Sequence, residues 1–145
     1  MAQATYTVTF ARPIADVFAY VADGELCPEW RPSVIDIRRV SGEGLGARYE
    51  QGVRGPMGRR IAADYEITAY EPARRIEFQT VAGPARPHGV YEFAEADGGT
   101  RLTFSLDAKL SGLRGLFIGS AVQRTMESEV RTLDALKQVL ETPAA

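Results

Sequence analysis

The sequence predicts an α+β domain, residues 1–145, in which a curved antiparallel sheet of seven strands wraps around a long C-terminal helix, with two short helices after the first strand. Three observations carry this reading. The chain opens on strict period-two alternation, its middle is a series of apolar runs divided by turn residues, and its end is a long amphipathic stretch at helical spacing.

Tyr6, Val8 and Phe10 alternate with Thr5, Thr7 and Thr9, a pattern rich in aromatic and β-branched residues that marks the first strand. The period then changes. Pro13 suits a first helical position, where a missing N–H leaves nothing unpaired, and Ile14, Val17, Phe18 and Val21 follow along one helical face. Asp23-Gly24 ends this helix. The link from Glu25 to Pro32 contains Pro28 and Pro32, has room for about one further helical turn, and holds the only tryptophan, Trp30.

From Ser33 to Lys109 the breaks are Ser41-Gly42-Glu43-Gly44, Gly55-Pro56-Met57-Gly58, Glu71-Pro72-Ala73, Gly83-Pro84 and Asp97-Gly98-Gly99. They divide six further strands, among them a single strand from Ile61 to Ala69. Connections this short pair neighbouring strands antiparallel, because a parallel crossover needs a dozen or more residues. In the last segment, from about Gly112 to Glu141, Val122, Met126, Val130, Leu133, Leu136 and Leu140 step by three or four, with Glu127, Glu129, Arg131, Asp134 and Gln138 on the other sides. A helix of that length extends about 45 Å. Only a broad, strongly bent sheet covers its stripe.

Composition narrows the function classes. The formal net charge is −2 and Lys109 and Lys137 are the only lysines, so the clustered positive charge of a nucleic-acid binder is missing. Cys27 stands alone; no intramolecular disulfide can form, and a lone cysteine reads as a small buried apolar group. Met1 to Phe10 lack the basic start and apolar run of a signal peptide. No stretch reaches the ~18 apolar residues of a membrane span. The expectation is a cytoplasmic protein without stable membrane insertion; the sequence does not set its oligomeric state. One histidine and one cysteine make no usual zinc site, and Gly52-Val53-Arg54-Gly55-Pro56 lies in a hairpin turn rather than a phosphate loop. No cofactor is expected.

The terminal helix has two unlike halves. Gly112, Gly115, Gly119, Ser120 and Ala121 are too small to fill the gap against a curved sheet, whereas Val130, Leu133, Leu136 and Leu140 fill it. One end is therefore expected to be solid and the other hollow, unless the glycines serve close approach or a kink. Strand alternation supplies a lining: Tyr49, Gln51, Tyr65, Phe78, Tyr91 and Phe104 share the inner face, with Leu116 and Ser120 from the helix. A few polar tips in an apolar wall orient a ligand. The alternative is a filled aromatic core whose hydroxyls reach backbone or water.

Specific marks stand along this frame. Arg12-Pro13-x-x-Asp16-Val17-Phe18 opens the first helix, Pro28-Glu29-Trp30 stands in the link, Tyr70-Glu71-Pro72-x-Arg74-Arg75-Ile76 marks the fourth turn, and Tyr91-x-Phe93 leads to Gly98-Gly99-Thr100-Arg101-Leu102-Thr103. With these marks and this order of elements the chain resembles, nearly end to end, the START-like (SRPBCC) superfamily with the helix-grip fold, in its bacterial polyketide cyclase/dehydrase and lipid-transport branch. The resemblance implies a deep pocket under the long helix, used across the superfamily for lipids, sterols, plant hormones, polyketides and quinone-like molecules by members that range from carriers to cyclases. Trp30 matches the family's link tryptophan, which implies a place near the pocket wall or a packing role. Family cyclases hold polar or ionisable side chains in the pocket, and none of these carries over by position.

Other polar residues read mainly as surface. Asp64 and Glu66 form a close carboxylate pair, but their parity is opposite to Tyr65. His88, the sole histidine and so the obvious general base, has parity opposite to Tyr91 and points away from the interior unless a bulge near Pro87 reverses it. Arg38-Arg39, Arg59-Arg60 and Arg74-Arg75 read as solvated edges, or as a reach toward a ligand's acidic group. The leading expectation is a domain that binds a small, largely apolar molecule that is lipid-, polyketide- or quinone-like. The alternatives are a polyketide cyclase or dehydratase with Tyr65 or Tyr91 as proton donor, and a protein-interaction module using the loop from Gly55 to Gly58.

Overall fold

Alternation becomes β1 (Ala2–Phe10), whose threonines face solvent. The computed structural model describes residues 2–83, 85–109 and 114–142, with backbone alone for 56 and 114–120. Pro13 stands one position earlier than expected, as the N-cap of α1 (Ile14–Ala22), which buries Val17, Phe18 and Val21. The Asp23 carboxylate accepts the Glu25 N–H at 3.1 Å and opens a short 3₁₀ turn, Gly24–Glu29. Capping by aspartate satisfies a donor that no preceding turn reaches.

The sheet follows as β2 (Val34–Ser41), β3 (Arg48–Arg54), β4 (Arg60–Ala62), β5 (Tyr65–Glu71), β6 (Arg75–Thr80), β7 (His88–Ala96) and β8 (Gly99–Ala108). Its order is β1-β8-β7-β6-β5-β3-β2, with β4 paired to β3, and every pairing is antiparallel. Register shifts in β2 and between Ile67 and Ala69 of β5 bend it. Asp97-Gly98, both at positive φ, close the β7–β8 hairpin.

Eight strands form where seven were predicted, because Ile61–Ala69 divides at Ala63-Asp64. The register is the same on both sides, Val53 opposite Ile61 and Tyr49 opposite Tyr65. What breaks is one ladder bond: the Gln51 N–H donates to Asp64 Oδ1 at 3.1 Å, and the Gln51 side-chain amide donates to the Ala63 carbonyl at 3.0 Å instead. Inward parity survives the break.

The predicted single terminal helix is also divided, into α2 (Arg114–Val130) and α3 (Leu133–Glu141). At the junction Thr132 donates both its N–H and its hydroxyl to the Glu129 carbonyl, a three-residue closure that tightens the turn. The apolar stripe continues across it: Met126, Val130, Leu133, Leu136 and Leu140 are all buried. They meet Phe10, Val17, Leu102 and Phe104 in one core. Polar ties hold the helix along β1: Tyr6 donates to Asp134 at 3.0 Å, with the Arg131 guanidinium 4.9 Å from the Tyr6 ring. Among the described residues no helix is long and apolar enough to cross a membrane.

Leu136 is fully buried and Leu45 is 66% exposed. Leu136→Ala is expected to lower unfolding free energy by about 2–5 kcal/mol, against less than about 0.5 for Leu45→Ala, measured by urea denaturation.

Candidate functional site

Five adjacent strands set a row of aromatic side chains on the concave face, Tyr49 from β3, Tyr65 from β5, Phe78 from β6, Tyr91 from β7 and Phe104 from β8. Period two puts them there, and the antiparallel register lines them up. Tyr49 stacks on Tyr65 at 4.9 Å, Tyr65 tilts on Phe78 at 5.3 Å, and Tyr91 stacks on Phe104 at 4.3 Å between ring centres. The Phe78 ring lies directly on the Gly89 backbone, 2.1 Å from where a Cβ would stand. Trp30 is buried and meets Tyr91 edge-on at 6.4 Å, its Nε1 sealed in protein without an acceptor among the described residues.

A hollow of about 40 Å³ remains beneath the 3₁₀ turn, with Arg31, Tyr49, Gln51, Tyr65, Phe78 and Tyr91 on its wall. That is room for about three waters, well short of the roughly 300–1,000 Å³ of a typical small-molecule site. Around this space the sheet's aromatic rings pack one against the next, Tyr49 on Tyr65, Tyr65 on Phe78, Phe78 on Tyr91 and Tyr91 on Phe104. Of the small helix residues expected to leave the interior open, Gly112, Gly115, Gly119 and Ser120 lie outside the described residues or side chains, as does Leu116, and Ala121 is exposed. Tyr49, Gln51, Tyr65, Phe78 and Tyr91 reach the hollow as parity predicts; Trp30 and Phe104 pack behind its wall.

The hollow's most polar group was not among the expected residues. Arg31, in the link beside Trp30, places Nε 3.1 Å from Glu129 Oε2 of α2, and Nη1 3.1 Å from Gln51 Oε1 and 3.7 Å from Cys27 Sγ. Ser33 Oγ donates to the other Glu129 oxygen. The Arg31 and Glu129 side chains are only 11% and 14% exposed. Burial works most strongly against the arginine's charge, but Glu129, together with Cys27, Tyr91 and Tyr65, holds the Arg31 pKa above its ordinary value. Burial pushes the Cys27 thiol up, opposed by Arg31. Burial also raises the Tyr65 and Tyr91 phenols, against the pull of the same guanidinium. No periodicity could pair Arg31 with Glu129, 98 positions away, since an acid beside the helix stripe reads as solvated.

The other polar candidates fall outside this group. His88 sits on the opposite sheet face between Glu77 at 2.9 Å and Asp107 at 3.3 Å. Asp64 is engaged with the Gln51 N–H. The arginine pairs make surface ion pairs, Arg38 with Glu50, Arg39 with Glu43, Arg60 with Asp36, Arg74 with Glu71, and Arg75 with Glu77 and Glu92. Among the described residues no three metal-ligating side chains gather.

Glu129→Ala leaves Arg31 buried without its partner and is expected to cost about 3–5 kcal/mol, whereas Arg31→Met combined with Glu129→Leu is expected to recover most of that loss; urea melts of the three proteins check it. The phenols carry a second expectation. Below about pH 10 Tyr65 and Tyr91 are protonated folded and unfolded, and above it the unfolded chain ionises first, so stability falls as pH rises. Replacing both by Phe is expected to flatten that alkaline loss, read from denaturation midpoints between about pH 9 and 11.

The profile of the polyketide cyclase/dehydrase and lipid transport family matches residues 1–141. No curated protein matches the chain. Among solved structures, a protein of Thermus thermophilus is similar over 98% of this chain and 99% of its own, at TM-score 0.82 and 22% identity. A START superfamily protein of Mycobacterium smegmatis is similar over 97% and 98%, at TM-score 0.75 and 18% identity. The di-domain ARO/CYC protein BexL of the BE-7585A biosynthetic pathway is similar over 98% of this chain and half of its own, at TM-score 0.72 and 19% identity. At these identities the structures share the helix-grip fold, and the profile match carries the family: this chain belongs to the polyketide cyclase/dehydrase and lipid transport family.

Proposed function

We propose that this domain binds a small, largely apolar molecule and seats one of its oxygen atoms in the hollow beside Arg31. One observation carries the reading. Tyr65, Tyr91 and Arg31 share the wall of a mostly apolar hollow, and the two phenol hydroxyls and Arg31 Nη2 make no hydrogen bond among the described residues. Donors on such a wall that no described residue accepts favour a guest that supplies an oxygen. A molecule larger than a few waters must widen the space by moving rings, and Phe78, only partly buried and held by apolar contacts with neighbouring rings and the Gly89 backbone, is the ring freest to move.

The similarity to an ARO/CYC protein keeps a cyclase or dehydratase reading in view. Against Tyr65 or Tyr91 as its acid stands their burial, which makes a phenol a good hydrogen-bond donor but a reluctant proton donor. The sole histidine, on the far face, supplies no base. Positioning a guest is what this wall does best.

Native mass spectrometry of gently isolated protein, followed by calorimetry against lipids and aromatic ketones, is expected to find a retained or titratable guest. Tyr65→Phe and Tyr91→Phe should each weaken it by about five- to tenfold. A protein that retains nothing and binds nothing in such a panel refutes the reading.

A further inference from the structure

Arg31 is the cation on the hollow's wall, and its charge is already matched. Glu129 meets Nε at 3.1 Å, and Asp64, on the neighbouring sheet segment, accepts the Gln51 backbone N–H. Cys27, Tyr65 and Tyr91 are kept neutral by burial. The site therefore carries one positive and one negative charge, both largely out of water.

Glu129 is also firmly held. One of its oxygens takes Arg31 Nε and the other takes Ser33 Oγ, so it has no idle oxygen whose loss would release it from the pair. A guest carboxylate arriving at Arg31 would place two anions against one cation in a poorly solvated space, where like charges strongly disfavour each other. An uncharged oxygen meets no such penalty. Arg31 Nη1 is engaged by Gln51 and Cys27, while Nη2 makes no hydrogen bond among the described residues. Its two N–H groups offer a donor edge to an acceptor that brings no charge.

Resting on the binding reading above, we infer that Glu129 sets the pocket's specificity: it holds the Arg31 guanidinium so that the site takes an uncharged carbonyl oxygen of an apolar guest and turns away a carboxylate. Glu129 acts through Arg31 and is a positioning residue. The chemical class that follows is an aryl or alkyl ketone, aldehyde, ester or quinone rather than a free fatty or aromatic acid.

Calorimetric titration at about pH 8 with 2-acetylnaphthalene, 2-ethylnaphthalene and 2-naphthoate compares one ring system with three heads. The ketone is expected to bind about tenfold more tightly than the hydrocarbon, and the carboxylate more weakly than either. Glu129→Gln removes the charge and keeps the shape, and should reverse the order so that the carboxylate overtakes the ketone. Naphthoate binding as tightly as the ketone to the unaltered protein overturns the inference, and so does an unchanged ranking in Glu129→Gln. If that variant fails to fold, Arg31→Met with Glu129→Leu serves: it should bind ketone and hydrocarbon alike, and a surviving ketone preference overturns the proposal. A ketone no tighter than the hydrocarbon in the unaltered protein sinks the oxygen preference while leaving the pocket standing. Failure of all three to bind sinks the pocket.

Discussion

The apolar stripe of the terminal helices must be covered, and the rest of the architecture answers that requirement. Met126, Val130, Leu133, Leu136 and Leu140 are buried along two helical segments. A flat sheet would cover part of such a stripe and leave its ends in water; one bent by irregular pairing in β2 and β5 wraps it. Thr132 breaks the helix without turning the stripe aside, so Leu133 and Leu136 still reach the core formed with Phe10 and Leu102. At about 25 cal/mol per Å² of apolar surface removed from water, that contact outweighs any single polar tie.

Curvature also brings the aromatic row to one place. Rings from five strands converge on the inside of the bend in a continuous series of stacked and tilted contacts. In this setting the Arg31–Glu129 pair is hard to explain by stability, because replacing a buried ion pair with well-packed apolar side chains is often neutral or stabilising. The proposed recognition role gives the pair another reason. The pair holds a guanidinium edge at the wall of the hollow, fixed by Gln51 on one side and Glu129 on the other.

How much of this could be read from the sequence depended on range. Tyr49, Gln51, Tyr65, Phe78, Tyr91 and Phe104 were placed on the inner face by alternation, a local property that carries across the divided strand at Asp64, where register is unchanged, and shifts by one at the β5 bulge, where Tyr70 rather than Ala69 follows Ile67 onto the hollow's wall. The interruption itself was illegible, because it depends on which of two acceptors the Gln51 N–H takes. The helix break was nearly as obscure; a threonine within an amphipathic stretch signals a kink only through its own back-bonding. Arg31 and Glu129 were missed altogether. Each stands where a charged residue ordinarily faces water, and only the folded chain brings the link and the helix together. The hollow was sought under the glycines of the helix, Gly112, Gly115 and Gly119, which lie outside the described residues or side chains; a small hollow among the described residues lies under the 3₁₀ turn, where Gly24 leaves room for Tyr49 and Tyr65 to pack closely.

That location bears on how a guest is admitted. Backbone around the hollow is committed: Tyr49 and Tyr65 stand opposite each other in the ladder, and the Ala63 carbonyl is tied to the Gln51 amide. The rings are held by dispersion and edge contacts with one another, and Phe78 also by the Gly89 backbone, contacts that a flat apolar guest would largely reproduce. Displacing a ring therefore exchanges one stacking partner for another, while displacing backbone sacrifices hydrogen bonds that no apolar guest restores. The fold thus favours enlargement by side-chain rotation within a fixed frame. On the proposed reading, the guanidinium of Arg31 is the stationary mark against which a guest's oxygen would be aligned.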